Sequence, residues 1–555
     1  LQCVGSRWAG IYRNHGRVQR EKSGLRTCPG KVVDFAPILI NQDQDPDRFS
    51  RSARALQEEL SLPNPKTQEL GQEPNQEPGQ HTDLDPRDWE SFGDDAHHAL
   101  DLMIAYLREL RQRKVWQPAP DAIREEFKLP LPKTGHPLAE LIDRFENSML
   151  PYANGNTHPL FMGWVQGAGT PVGMVAEMLA AGLDANCGGR NHIAIDVETQ
   201  ITLWLAEAFG FPSTSSGAFV TGTSMANVLG ALVARTHKLG QNVRQDGLRA
   251  CPQLVGYTSS EAHSCITRAF EMTGIGSAFL RKIAVDSEGR MRIASLREAI
   301  AADKSAGLLP FLVAGTAGTV NTGAIDDLPA LAKLCREMDL WFHVDGAFGA
   351  LCVLSPELKP LVKGIEQAQS IALDFHKWLH VPYDAGFFLC RDAEAHRGTF
   401  MSPAAYLSRA PRGLAAGDVW PTDLGPDLSR GFRALKTWFT FEAFGTERLG
   451  ASIAQTCRIA RHLADLVARS KTFELSAPVA LNIVCFSVRG EDAGARNLEI
   501  VMDLHESGVA APSSTILNGA PVIRAAIVNH RTREEDMETF IAATEASAAR
   551  LSAKS

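Results

Sequence analysis

The chain has 555 residues, 44% of them hydrophobic, with 56 lysines and arginines against 64 acids for a net charge of −8. That length predicts two or three structural units with an ample core, and the mildly acidic balance gives nucleic acid no electrostatic hold. No apolar run approaches the roughly 18 residues that a membrane span requires.

Residues 7–31 are basic, with Glu21 the only acid, and residues 63–80 form a polar tract rich in Gln, Pro, Asn and Gly. Such composition buries too little apolar area to offset ordering entropy, so residues 1–82 are expected to be a disordered extension. A targeting peptide is the alternative for the basic start. Next, residues 83–170 are expected to be a helical segment. Within it Leu100, Met103, Leu107 and Leu110 recur at helical spacing over 94–113, and Arg108, Arg111, Arg113 and Lys114 gather towards the helix end. That stripe must pack on something, a partner subunit being as suitable as the chain's own core.

Thr170-Pro171 then supplies a cap and first-turn proline for a helix through Met174, Met178, Leu179 and Leu183. Short apolar runs at 254–257, 279–285, 309–314, 340–344, 370–373 and 386–390 read as strands, most of them separated by helical stretches. Continuous rather than alternating apolar runs predict an α/β fold with a mainly parallel central sheet covered on both faces, over residues 171–450. Residues 451–555 are expected to form a smaller α+β domain. It has strands at 483–488 and 522–528, a helix at 498–504 ended by Gly508, and a last helix opened by the capping box Thr532-x-x-Glu535. Ten cysteines are scattered with no C-x-x-C pair, which suggests no metal site and fits buried, reduced thiols in a cytoplasmic protein.

Four sites have the character of ligands at strand ends, where such sheets bind small molecules. Gly222-Thr223-Ser224 follows an apolar run and opens a helix, offering hydroxyls and backbone N–H groups to a phosphate. His263 lies just past a strand, where it can stack on a flat ring, move protons or simply cap a helix. Asp345 ends the run Leu340-Trp-Phe-His-Val, where an acid is costly unless paired. It can cap a helix or hold a protonated ring nitrogen, and Gly346 and Ala347 leave room for a ring. Lys377, in Asp374-Phe-His376-Lys377-Trp378, is expected to be partly desolvated, which would lower its pKa and free the amine for imine chemistry. Each has an ordinary reading when taken alone.

Taken together, in this chain order, they resemble group II pyridoxal-phosphate decarboxylases, the family of aromatic-L-amino-acid, glutamate and histidine decarboxylases. The resemblance spans roughly residues 83–545 and is most specific at Leu340–Ala347 and around His376-Lys377-Trp378. It implies the fold-type-I transferase fold, pyridoxal 5′-phosphate as cofactor and a homodimer with active sites at the interface. In this resemblance Lys377 matches the Schiff-base lysine, Asp345 the acid beside the pyridine nitrogen and His263 the stacking histidine. Thr223 and Ser224 match the phosphate turn, Ala347 packs on the ring, and Asp374, His376 and Thr319 match cofactor-lining positions. Tyr406, before the Arg409-Ala-Pro-Arg-Gly stretch, matches a catalytic tyrosine on a mobile loop, and residues 430–438 the helix after it.

The implied activity is that of a lyase, specifically a carboxy-lyase of amino-acid metabolism, releasing CO₂ from an L-amino acid. Substrate selection falls to Trp164, Val165 and Gln166. Here the chain departs from the family, with Val165-Gln166-Gly167 where animal and plant aromatic decarboxylases carry Phe-Pro-Thr. An aromatic substrate and an acidic or other polar one both stay open, the aromatic first. Aldehyde synthesis or transamination on the same scaffold is the alternative chemistry, and a non-catalytic binding relic the alternative to an enzyme.

Overall fold

The computed structural model describes residues 83–402 and 408–553. The expected disordered extension at 1–82 and Tyr406 lie outside the described residues.

Twelve strands are described, in two sheets. In chain order they are β1 (Phe161–Met162), β2 (Ser216–Val220), β3 (Leu254–Ser259), β4 (Leu280–Ile283), β5 (Leu309–Thr316) and β6 (Trp341–Asp345). They continue with β7 (Ser370–Asp374), β8 (Gly386–Cys390), β9 (Phe473–Leu475), β10 (Ile483–Val488), β11 (Ala511–Leu517) and β12 (Ala520–Ala526). The larger sheet runs β2-β8-β7-β6-β5-β3-β4. The pairs β3–β4, β3–β5, β5–β6 and β6–β7 are parallel, and β8 alone opposes its neighbours. Strands β2, β3, β6, β7 and β8 are buried along almost their whole length, as the continuous apolar runs predicted.

Alternation sorts side chains onto two cores. Phe342 and Val344 of β6, with Ile371 and Leu373 of β7, face one; Trp341 of β6 and Ala372 of β7 face the other. Over the second face lies the helix Thr223–Leu239, buried along much of its length. The helix Pro171–Leu183 begins as expected, with Thr170 accepting from Gly173 N–H at 3.0 Å.

The smaller sheet runs β1-β11-β12-β10-β9 and carries its own core, including Val484, Phe486, Ile523, Ile500 and Phe540. Its β1 strand and β11 were not anticipated, β1 being only two residues long. The last capping box differs in register from Thr532-x-x-Glu535. The helix is Glu534–Ser552, and Asp536 accepts from the Arg533 N–H at 2.7 Å. The N-cap is Arg533 rather than Thr532, whose hydroxyl donates to Pro159 O, 2.7 Å away, tying this end to the segment before β1. The long helix Arg433–Arg469 is kinked at Gly445, whose φ of 65° breaks the helical path.

Candidate active site

The carboxyl ends of β2, β3, β5, β6 and β7 converge on one cavity of about 430 Å³. It is lined by Thr223 and Ser224 after β2, His263 and Cys265 after β3, Thr316 and Gly318 at the end of β5, and Val320 just beyond. Asp345, Ala347 and Phe348 line it from β6, and Asp374, His376 and Lys377 from β7. The rim is Trp164, Val165, Gln166 and Tyr383. Residues scattered over more than 200 positions therefore meet because parallel strands deliver their ends to a common edge.

Lys377 sits on the short helical turn Phe375–Trp378 that follows β7. Its Nζ lies 2.9 Å from Asp374 Oδ2, and about a quarter of its side chain is reachable from the cavity. The sequence suggested a desolvated, lowered lysine. Burial does push the amine down, but Asp374, with Asp345 behind it, outweighs that and holds Lys377 above the ordinary lysine value. The other oxygen of Asp374 accepts from Thr223 N–H at 2.7 Å, so one carboxylate couples the lysine to the helix start.

Buried Thr223 Oγ1 has no hydrogen-bond partner, although it lines the cavity at a helix N-terminus. An orphaned donor there suits a ligand bringing anionic acceptor oxygens. On the opposite side Asp345 is almost wholly buried yet has no lysine or arginine ion-pair partner among the described residues. Its Oδ1 accepts from Ala347 N–H at 3.2 Å, and its Oδ2 from Asn227 Nδ2 at 3.3 Å and Cys265 Sγ at 3.4 Å. A carboxylate left without a cation, facing a cavity, suits a cationic ring nitrogen. Together with an amine for an aldehyde and an unpartnered hydroxyl for a phosphate, the residues fit pyridoxal 5′-phosphate.

His263 does two jobs at once. It is the N-cap of the helix Ser264–Met272, accepting from Cys265 N–H at 3.2 Å through Nδ1, and its ring still lines the cavity. Burial lowers its pKa against the pull of Asp345, which favours the neutral ring. His376 accepts from Ala385 N–H at 3.0 Å, and its ring lies 4.3 Å from that of Tyr383.

Thr319 is placed differently from the expectation. Its hydroxyl oxygen accepts from Ala324 N–H at 3.0 Å and pairs with Thr322 at 3.1 Å, closing its own loop. The flanking Gly318 and Val320 line the cavity instead. Asn227, Cys265, Phe348 and Tyr383 were not singled out from the sequence. Asn227 stands one helical turn after Thr223, so the i, i+4 rule applied to the phosphate turn was the available signal. The glycine in Val165-Gln166-Gly167 also has a physical reason. Gly167 N–H donates to His376 O at 3.1 Å, and a Cβ at 167 would fall 2.1 Å from that same oxygen.

Residues 120–489 match the pyridoxal-dependent decarboxylase conserved domain. An aromatic-L-amino-acid decarboxylase of Bacillus atrophaeus is 31% identical over 452 residues, covering 80% of this chain and 92% of that protein. A phenylacetaldehyde synthase of Arabidopsis thaliana is 27% identical over 476 residues, covering 82% of this chain and 95% of that one. The crystal structure of Catharanthus roseus tryptophan decarboxylase in complex with L-tryptophan superposes with a TM-score of 0.76 at 22% identity. It covers 84% of this chain and 100% of that chain, which shows a shared fold. A matched domain that contains every strand end around the cavity leaves one assignment: the chain belongs to the pyridoxal-dependent decarboxylase family and is a pyridoxal-phosphate-dependent amino-acid carboxy-lyase.

Proposed function

We propose that the cavity removes the carboxylate of an aromatic L-amino acid, with Lys377 as the cofactor's amine partner and Asp345 facing its ring nitrogen. The observation that carries this is the convergence of Lys377, Asp345 and the orphaned Thr223 hydroxyl on one cavity. Pyridoxal phosphate, when bound, would supply the electron-poor ring that takes up the electron pair left on the α-carbon as CO₂ departs. Thr223 and Ser224 would hold the phosphate at the start of their helix. Asp345 would face the ring nitrogen and favour its protonated form, Ala347 would leave the ring room, and His263 would be the side chain to stack on it. Asp374 and His376 orient the lysine turn. Tyr406, outside the described residues, is assigned the proton delivered to the substrate α-carbon.

The lining supports an aromatic substrate over an acidic one. Trp164, Val165, Val320 and Phe348 are apolar, Gln166 is neutral, and among the described residues the lining contains no arginine and no lysine besides Lys377. A side-chain carboxylate would therefore enter without a counter-charge. The name of the Bacillus atrophaeus relative agrees. Aldehyde synthesis is the second reading, favoured by the similarity to the Arabidopsis thaliana phenylacetaldehyde synthase.

The large α/β segment, residues 171–450, holds the cofactor in this reading, while 83–170 supplies most of the rim and 451–555 packing surface. A homodimer is supported by exposed Val175, Met178, Leu179 and Leu183 on one helix. A cytoplasmic location is supported by eight described cysteines that are all unpaired. Among the described residues no helix is long and apolar enough to cross a membrane. The test is CO₂ release by the cofactor-loaded protein across the standard amino acids, with amine and aldehyde products separated. Tyrosine, tryptophan, phenylalanine or dihydroxyphenylalanine should lead, giving amine. Preference for glutamate or aspartate would overturn the substrate assignment, and aldehyde with peroxide would favour the second reading.

A further inference from the structure

Trp341, His343 and Asp345 occupy alternate positions of β6 and so share one face of the sheet. Ser370 stands opposite His343 in the register of β7. Asn227 comes down from the helix above, where a Cβ at Gly230 would fall 2.7 Å from the His343 ring. All five side chains are buried, and four hydrogen bonds join them in series. They are Trp341 Nε1 to Ser370 Oγ at 2.8 Å, Ser370 Oγ to His343 Nδ1 at 2.8 Å, His343 Nε2 to Asn227 Oδ1 at 2.7 Å, and Asn227 Nδ2 to Asp345 Oδ2 at 3.3 Å.

The direction of every link follows from its ends. Asn227 turns its NH₂ to Asp345 Oδ2 and its carbonyl to His343, and an amide carbonyl only accepts. His343 Nε2 must then carry the proton. Burial drives His343 down to about 3, so the ring stays neutral and Nδ1 is bare. Ser370 therefore donates to Nδ1, and its oxygen accepts from the indole N–H, which can only donate. Four donors point the same way and end on one carboxylate oxygen. Cys265 is a second donor on that oxygen: burial, with Asp345 adding to it, pushes its thiol far up, so it remains S–H.

We propose that Asn227 and His343 are positioning residues for the cofactor's ring nitrogen, aiming the Asp345 carboxylate at it through this one-way chain of neutral donors. The inference rests on the reading of Asp345 given above. A lysine or arginine in their place would also fix the carboxylate, but would cancel the charge meant for the ring. Neutral dipoles stabilise the anion and leave its charge uncompensated towards the cavity, and serial bonds of one polarity reinforce each other.

The test is titration of the apo-protein, by fluorescence, with two probes. One is pyridoxal 5′-phosphate; the other is its analogue with C–H in place of the ring nitrogen and every other group kept. His343→Leu is expected to weaken the natural cofactor roughly tenfold while leaving the analogue within about twofold. His343→Gln, which can still donate to Asn227, should recover most of that loss. Asn227→Leu should resemble His343→Leu. Equal weakening of both probes would mean a merely structural role, and no weakening would mean no role; either overturns the proposal. Should His343→Leu fail to fold by circular dichroism, Trp341→Phe removes only the first donor. It should weaken the natural cofactor selectively by about two- to threefold, and an equal or absent effect overturns the proposal. Asp345→Asn separates the two levels. If it fails to discriminate between the probes, the assignment of Asp345 to the ring nitrogen falls. If it discriminates and His343→Leu does not, only the chain falls.

Discussion

The back wall of the cavity and its rim are built on opposite terms. At the wall, Asp345, Asp374 and His376 are buried at strand ends, and each of these three accepts from a named partner. At the rim, Trp164 is 55% and Tyr383 49% exposed, and the segment is held through its backbone, by Gly167 N–H to His376 O and by Arg524 and Asn156 donating to Gly163 O and Gly167 O. The wall thus fixes charge and geometry for chemistry common to the family. Exposed rim side chains can be exchanged without disturbing it, which is where substrate choice can vary. A change at the wall should therefore alter rate, cofactor binding or folding, and a change at the rim should alter selectivity alone.

The largest expected break is Lys377→Ala, which should reduce CO₂ release by on the order of 10⁴-fold or more in steady-state assays with bound cofactor. Arg430→Leu comes next. Arg430 is buried with Glu198 at 2.6 Å and also donates to Cys187 O and Phe219 O, bracing β2 just before the Thr223 turn. Removing it strands a buried carboxylate and should cost about 3–5 kcal/mol in urea unfolding. Trp164→Ala is the matching rim change. It should raise KM for an aromatic substrate roughly three- to tenfold, with stability within about 0.5 kcal/mol.

Two pH measurements sharpen the same contrast. Asp374 holds the Lys377 pKa up, so Asp374→Asn should move the pH profile of cofactor capture by the apo-protein to lower pH, because capture needs the neutral amine. Spectrophotometric titration of capture rate against pH reads this. Buried His343, lowered to about 3, and His396, lowered to about 4, resist protons that their unfolded forms bind near the ordinary value of about 6.5. Their contribution to stability is complete above that value and is lost as pH falls towards 3 to 4. His343→Gln should flatten the acid limb of the stability curve by about 1.4 kcal/mol per pH unit.

The same division decided what could be read from the chain. Strands β3, β5, β6, β7 and β8 were legible as apolar runs because they are buried on both faces, and Gly386–Cys390 was placed to the residue. Asp345 and Lys377 stood out because a charge at the end of such a run demands an explanation. Less visible was anything set by long-range pairing. Strand β1 exists only through its parallel match to β11, and Thr532 is not the cap but donates to Pro159, hundreds of residues away. The lysine pKa was misjudged because desolvation was weighed without Asp374, three residues earlier, whose approach depends on the Phe375–Trp378 turn. The chain behind Asp345 was half visible. Trp341, His343 and Asp345 alternate in the sequence, but Ser370 and Asn227 join them only through strand register and helix packing.

The most direct measurement is borohydride reduction of the protein loaded with pyridoxal 5′-phosphate, followed by digestion and mass spectrometry. Lys377 as the cavity's cofactor amine predicts a single pyridoxyl-bearing peptide containing residue 377, with CO₂ release abolished. A label on any other lysine, such as the ion-paired Lys436, with Lys377 unmodified, would contradict it.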